Sequence, residues 1–480
     1  MFVSNPGLIK LKDSLMRSIL LEQEPSVELV AILLVYFVQG ILGLARLAIS
    51  FFLKDELGLS PVQVAAMMGV AALPWVIKPV FGFLSDSLPL FGYHRRSYLV
   101  LSGLLGMFSW IALATVVHSA WTATAAIALS SLSIAISDVI VDSLVVERAR
   151  QESMSGAGSL QSLCWGSTAI GGIITAYFSG LLLEHVSAQT VFAITACFPL
   201  LVSAAAWLIA ETQAHEPPNL SIARTQINQL RQAVTQKQIW LPAAFLFLWQ
   251  ATPTSDAAFF FFTTNELGFE PEFLGRIRLI TSVAALVGVW IFQRFLKAVP
   301  VRKIFFWTTV LSAVLGMTTL LLVTHVNREL GIDDHWFSLG DSLILTVMGQ
   351  VAYMPVLVLA ARLCPPGVEA TFFALLMSVT NLAGLLSHET GALLMHWLGI
   401  TETHFEALWL LVVITNLSTL LPLPLVKWLP ARDAQTDIQG FEPQPVVEPL
   451  APSQQINQAF LPELVSELVP QPGLPEHAED

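Results

Sequence analysis

Eight charged side chains interrupt long apolar runs, and they are where this sequence could do chemistry. Arg46, Lys78, Asp138, Asp142, Asp256 and Glu389 lie deep within such runs, and Arg276 and Arg278 lie near the end of one. A charge at the centre of a bilayer costs roughly 2.5–3.5 kcal/mol on insertion scales. Six of them facing lipid would cost on the order of 15–20 kcal/mol, as much as the whole stability of a typical protein. They must face a polar interior and one another. Asp138 and Asp142 are four residues apart and share one helix face. Such a pair suits proton carriage, a structural pairing with Arg46 or Lys78, or sodium binding. Asp256 and Glu389 are weaker candidates for the proton step, and His388 beside Glu389 reads first as a packing residue.

Lys78 stands in the run Leu73 to Pro79, which reads LPWVIKP. Pro74 and Pro79 each remove a helical hydrogen bond and free the carbonyl four residues earlier. A kinked helix there presents the Lys78 cation beside the flat face of Trp75, or else is a structural kink with a lysine reaching for the interface. Arg276 and Arg278 are two apart, so on a helix they point about 200° away from each other and only one is expected to face inward.

The elements that position these groups follow from composition. The chain has 480 residues, 55% of them hydrophobic and 12% charged, against about 25% charged in a soluble domain. Nucleic-acid binders, secreted disulfide scaffolds and disordered proteins are thereby excluded. Cys164, Cys197 and Cys364 lie in apolar stretches without a spacing pattern, so neither a disulfide framework nor a metal site is expected. The net charge of −12 comes largely from residues 431–480, which hold nine acids and one arginine. That acidity carries no information about a substrate.

A run of about 20 apolar residues crosses a bilayer as one helix. Twelve runs can be read: 28–53, 62–85, 96–117, 121–146, 156–184, 190–210, 240–264, 272–296, 303–325, 339–362, 369–397 and 405–428. With both termini in the cytoplasm, 17 of the 23 basic residues fall in inside segments and only Lys54 and Arg328 in outside loops, as the positive-inside rule requires. The expected organisation is a cytoplasmic segment 1–27, a six-helix half 28–210, a cytoplasmic loop 211–239, a second half 240–429 and a disordered, acidic, Pro-rich tail 430–480. No removable signal peptide is expected, because the N-terminal segment lacks a small-residue cleavage site.

An internal repeat links the halves. ELGLSP (Glu56 to Pro61) and ELGFEP (Glu266 to Pro271) both follow Phe-rich runs, 210 residues apart. The same offset maps Arg46 onto Asp256, opposite charges that either pair across a cavity, form a structural bridge or hold a ligand. Two parallel six-helix halves describe the major facilitator architecture. In that fold helices three, six, nine and twelve are peripheral, and these are spans read without a charge in their cores. The segment Gly82 to Tyr98 resembles the gating motif of that superfamily: Gly82, then Asp86, then a basic pair, Arg95 and Arg96. Gly82 permits close helix approach, and Asp86 caps a helix or pairs with Arg95, Arg96 or Arg148. Such a cluster is expected to govern turnover rather than substrate choice.

Three stretches together resemble the folate–biopterin transporter family: Phe37 to Pro61, Leu73 to Tyr98, and Ser137 to Arg150. The plain N-terminus resembles cyanobacterial members. The resemblance implies an all-α integral membrane protein of twelve helices in the inner membrane. It also implies a secondary transporter of folates or pterins, with protons as coupling ion and no cofactor. Arg46, Lys78 and one of Arg276 or Arg278 would attract carboxylates. Asp138 or Asp142 would accept hydrogen bonds from a pterin, and Trp75 or a phenylalanine would stack on it. Two rivals stay open: a carrier of another organic anion, and a non-transporting assembly or pigment-delivery factor. No phosphate-binding loop, zinc-protease motif or nucleophile elbow is present, so an enzyme is not expected.

Overall fold

Proline and glycine set where the helices stop and restart. The computed structural model describes residues 25–149, 154–213, 235–296, 299–363 and 369–429. These fall in one compact unit, Met1–Ile438. The expected tail 430–480, most of the central loop and the start of the N-terminal segment lie outside the described residues.

Among the described residues ten helices are long and apolar enough to cross a membrane, each where an apolar run predicts one, and the seventh and eleventh runs are helical as well. The first half holds α1 (Val27–Glu56), α2 (Pro61–Asp86), α3 (Arg96–Thr115), α4 (Ala120–Ala149), α5 (Met154–His185) and α6 (Ala188–Leu208). In the second half α7 comprises Lys237–Gln250, Asp256–Phe261 and Phe262–Glu266. It is followed by α8 (Pro271–Leu296), α9 (Val301–Val323), α10 (Asp334–Leu363), α11 (Glu369–Trp397) and α12 (Leu408–Trp428). Among the described residues there is no strand, only an isolated bridge between Leu90 and Tyr93. Large apolar side chains such as Phe108, Trp121, Trp307 and Val314 stand exposed on the bundle, which suits a surface solvated by lipid tails.

The internal repeat is structural as well as sequential. Phe52–Glu56 and Phe262–Glu266 are each one wide helical turn, again 210 residues apart. Each ends at a glycine in the left-handed region, Gly58 at φ +61° and Gly268 at φ +68°, where a side chain would be strained. Each new helix then starts on a proline at its first turn, Pro61 and Pro271. The breaks correspond too. α1 is interrupted at Leu42 and Gly43, and α7 at Ala251 to Ser255.

The halves meet along α2 with α11 and α5 with α8. At Gly180 of α5 and Gly275 of α8 the two backbones touch, so that a Cβ on either would collide with the other helix. This contact lies toward the end of the bundle that carries the two repeated turns. At the same end Phe51 packs edge-on against Phe260 at 5.4 Å, and Lys54 Nζ donates to Asn265 Oδ1 at 2.8 Å.

Candidate functional site

The kink expected in α2 is present, and it aims Lys78 inward. The helix runs Pro61–Ala71, restarts at Leu73–Val76 and restarts again at Lys78–Ser87, with Pro74 and Pro79 each in a first turn. Lys78 opens the last segment. Its ammonium pairs with Asp138 of α4, reaches Asp142 Oδ2 at 3.4 Å, and sits over the Trp75 ring at 5.6 Å. The Lys78 and Asp138 side chains are 12% and 14% exposed, while Asp142 is 48% exposed. One member of this cluster is therefore half open and the other two are enclosed.

Two residues of α1 complete the cluster. The Tyr36 hydroxyl donates to Asp142 Oδ1 at 2.5 Å, and Gln39 lies beside Asp138. α5 holds this stretch of α1 through its hydroxyls. Ser167 donates to the Leu33 carbonyl at 2.8 Å and Thr168 to that of Tyr36 at 3.0 Å, while Gly40 and Gly171 let the backbones touch. Sequence reasoning missed Tyr36 and Gln39. A polar pair three apart, one turn before a glycine break, was the available signal.

Of the alternatives left open for the two aspartates, Lys78 is the partner and Arg46 is not. Nor does Arg46 pair with Asp256, despite their matching positions. The Arg46 guanidinium is exposed and enters no ion pair among the described residues. Its electrostatic neighbour is another cation, Arg278 of α8. Arg278 is partly buried, and its guanidinium donates to Ser179 Oγ of α5 at 3.4 Å. Arg276 points elsewhere, exposed and paired with Glu272 one turn away. The helical offset thus separates the two arginines as expected, and Arg278 is the one turned inward. Asp256 is exposed at the start of its helical segment, its backbone N–H 3.3 Å from Thr254 Oγ1. The Glu389 carboxylate lies against Gly69 of α2 and beside His388.

The broken α7 is docked on α11. Thr254 N–H donates to the Ser387 carbonyl at 3.3 Å and Ser387 Oγ to the Thr252 carbonyl at 2.5 Å. Backbone polar groups freed by the break are thereby satisfied, as they must be at membrane depth.

Asp86 pairs with Arg95 at 2.7 Å, and Arg95 also donates to Ser85 Oγ. Arg96 turns away, donating to the Ile209 carbonyl at 2.7 Å and lying between the Tyr93 and Trp207 rings. Arg148 donates to Ser26 Oγ at 2.6 Å. The close helix approach expected at Gly82 is not found: a Cβ there would meet Val139 at 3.6 Å, an ordinary contact. An unforeseen acid organises this end instead. The Glu211 carboxylate accepts from the backbone N–H groups of His94, Arg95 and Arg96 at 2.6–3.2 Å, capping α3. Asp341 of α10 was also missed. It accepts from Thr318 and Thr319 of α9 at 2.5 and 2.8 Å.

A family profile described as the BT1 family matches residues 39–444. The chain belongs to the BT1 family. A relative from Synechocystis, called a folate-biopterin transporter, is 64% identical over 88% of this chain and 86% of its own. A probable folate-biopterin transporter of Arabidopsis thaliana is 34% identical over 83% and 81%. A folate transporter of Plasmodium falciparum is 31% identical over 84% and 88%. The family is one of transporters, not enzymes. Among solved structures, a D-xylose-proton symporter superposes with a TM-score of 0.60 at 14% identity, over 85% of this chain and 97% of that one. A nucleoside transporter superposes with a TM-score of 0.61 at 13% identity, over 84% and 98%. These likenesses give the fold alone: the BT1 chain has the major facilitator architecture and is a multi-pass membrane protein.

Proposed function

We propose that this protein is a secondary transporter of folates or related pterins. It works by alternating access from the inner membrane, with both termini in the cytoplasm and protons as coupling ion. The observation that carries the reading is the contrast between two sets of charges. Lys78, Asp138 and Asp142 satisfy one another, whereas Arg46 and Arg278, one from each half, form no ion pair with an acid among the described residues. A site with uncompensated positive charge suits an anionic ligand. The names of the relatives supply the class: folates and biopterin.

In this reading Arg46 and Arg278 hold the carboxylated tail of a folate, and Asp142, the more open carboxylate, accepts from the pterin's amino and ring nitrogens. Trp75 contributes an aromatic surface. A proton on Asp138 or Asp142 would loosen the hold on Lys78 and the Tyr36 hydroxyl, which links protonation to the packing of α1, α2 and α4. The pair of Asp86 and Arg95 sits at the cytoplasmic end of α2 and favours one of the two access states. Lys78, held by two carboxylates, serves coupling rather than tail binding.

The test is uptake of labelled folic acid by proteoliposomes of the purified protein, with and without an inward pH gradient, with unlabelled biopterin as competitor. Gradient-stimulated uptake is expected. Uptake indifferent to pH would keep folate transport and remove the proton. No uptake by folded protein would move the substrate to another organic anion, which the arginine pair also suits.

A further inference from the structure

Trp165 of α5 is 59% exposed, although most sides of that helix are accounted for. α1 touches α5 at Gly171, and α8 touches it at Gly180. Ile170, Ile174 and Phe178 are exposed as well and mark the side solvated by lipid tails. At about 100° per residue, Trp165 points about 140–180° away from those three, between the contacts with α1 and α8. Its ring therefore faces the interior of the bundle. Among the described residues no other ring and no cation lies against it. Trp75, by contrast, has the Lys78 ammonium over its ring at 5.6 Å.

The same face stays open along the helix. Gly172 and Ser179 follow Trp165 at intervals of seven residues, nearly two turns each. A Cβ on Gly172 would meet nothing within 4 Å. Ser179 Oγ accepts from Arg278 of α8 at 3.4 Å. One turn from Trp165, Thr168 donates to the Tyr36 carbonyl at 3.0 Å, and the Tyr36 hydroxyl donates to Asp142 at 2.5 Å. Asp142 is the half-open carboxylate of the charged cluster. α5 thus presents an aromatic ring, a gap and a hydroxyl in line, with the ring one turn from the contact that leads to Asp142.

We propose that Trp165 is the platform on which the flat ring of the substrate stacks, and that Gly172 keeps open the space that the rest of the molecule occupies. The proposal rests on the transport reading above and deepens it. The group recognised is a planar heteroaromatic ring with hydrogen-bond donors at its edge, which folates and biopterin share. The indole suits the face of such a ring, and the half-open Asp142 carboxylate suits its amino and ring N–H groups. Removing an aromatic side chain on which a base stacks weakens binding by about tenfold or more.

The experiment is initial-rate uptake of labelled folic acid and labelled biopterin into proteoliposomes holding wild-type protein, Trp165→Leu, Trp165→Phe or Gly172→Leu. Each is checked for monodispersity and thermal midpoint. Trp165→Leu is expected to keep its thermal midpoint and to raise KM for both substrates about tenfold or more. Trp165→Phe, which keeps an aromatic face, should recover part of that loss. Gly172→Leu is expected to fold normally, since open space surrounds its Cβ, and to lose folic acid uptake. Unchanged KM in Trp165→Leu, a phenylalanine variant no better than the leucine one, or a lowered thermal midpoint in Trp165→Leu would overturn the stacking role while leaving transport standing. Folic acid uptake by Gly172→Leu at the wild-type rate would overturn the role of the gap. Failure of folded wild type to carry either substrate would overturn the transport reading and the platform together.

Discussion

The side-chain amide of Asn381 donates to the main-chain carbonyl of Trp75 at 3.1 Å, joining α11 of one half to α2 of the other. Trp75 is four residues before Pro79, whose ring nitrogen cannot supply the helical hydrogen bond to that carbonyl. The proline therefore creates the acceptor that Asn381 fills. A buried carbonyl left unsatisfied costs about 1–3 kcal/mol. Replacing Asn381 with Leu should lower the thermal midpoint of the purified protein and reduce uptake, whereas Asn381→Gln, which keeps the amide, should recover part of both. Unchanged stability in Asn381→Leu would mean that this bond is not holding the halves.

Lys78 stands between two carboxylates, so its removal leaves acid facing acid. Breaking a buried pair by deleting one partner costs about 3–5 kcal/mol. Lys78→Met should be strongly destabilised, and adding Asp138→Asn should recover much of the loss, because Asp138 is the enclosed partner. Thermal unfolding of the single and double variants checks this. No recovery would show that the two side chains act independently.

Lys54 and Asn265 lie in the two repeated turns, one place out of register, and meet across the seam at 2.8 Å between Nζ and Oδ1. Because the lysine side chain supplies much of that reach, cysteines at both positions should be joined by a short bifunctional methanethiosulfonate rather than by a direct disulfide, visible as continued linkage of the two halves after proteolysis of the loop between them. If this end must part during turnover, the cross-linked protein should lose uptake and regain it on reduction. Full uptake while cross-linked would show that this end stays shut throughout the cycle.

Glu211 accepts three backbone N–H groups at the start of α3, two of them from the basic pair beside Asp86. Loss of a helix cap costs about 0.5–2 kcal/mol. Glu211→Ala should lower stability by that order and slow maximal uptake more than it weakens substrate binding, since it loosens the Arg95 backbone and not the cavity. A change in apparent affinity with unchanged maximal rate would contradict this.

Much of the architecture is legible from hydropathy, because bilayer thickness dictates the length of each apolar run. The twelve spans, the kink at Pro74 and Pro79 and the 210-residue repeat are all visible before any coordinates. The grouping of deep charges onto a few helices is visible as well, because the cost of a charge in lipid leaves few alternatives. Partner choice is not legible. Nothing local says that Lys78 rather than Arg46 meets Asp138, that Arg46 does not pair with Asp256, or that Glu211 caps a helix more than a hundred residues earlier in the chain. Those pairings depend on how helices distant in sequence are rotated against one another. Neutral polar residues are harder still: Tyr36, Gln39 and Asn381 cost too little in an apolar run to stand out beside the charges.

The wide turn, left-handed glycine and starting proline recur in both halves with the same backbone geometry, while six residues before the turn Arg46 and Asp256 occupy the matched positions with opposite charge. The chain has kept two castings of one backbone scaffold and varied the side chains it carries. What the protein accepts is then written in a few inward-facing positions that the scaffold does not need for its own shape. Its selectivity should be open to rewriting by point substitution, half by half, without first redesigning the frame.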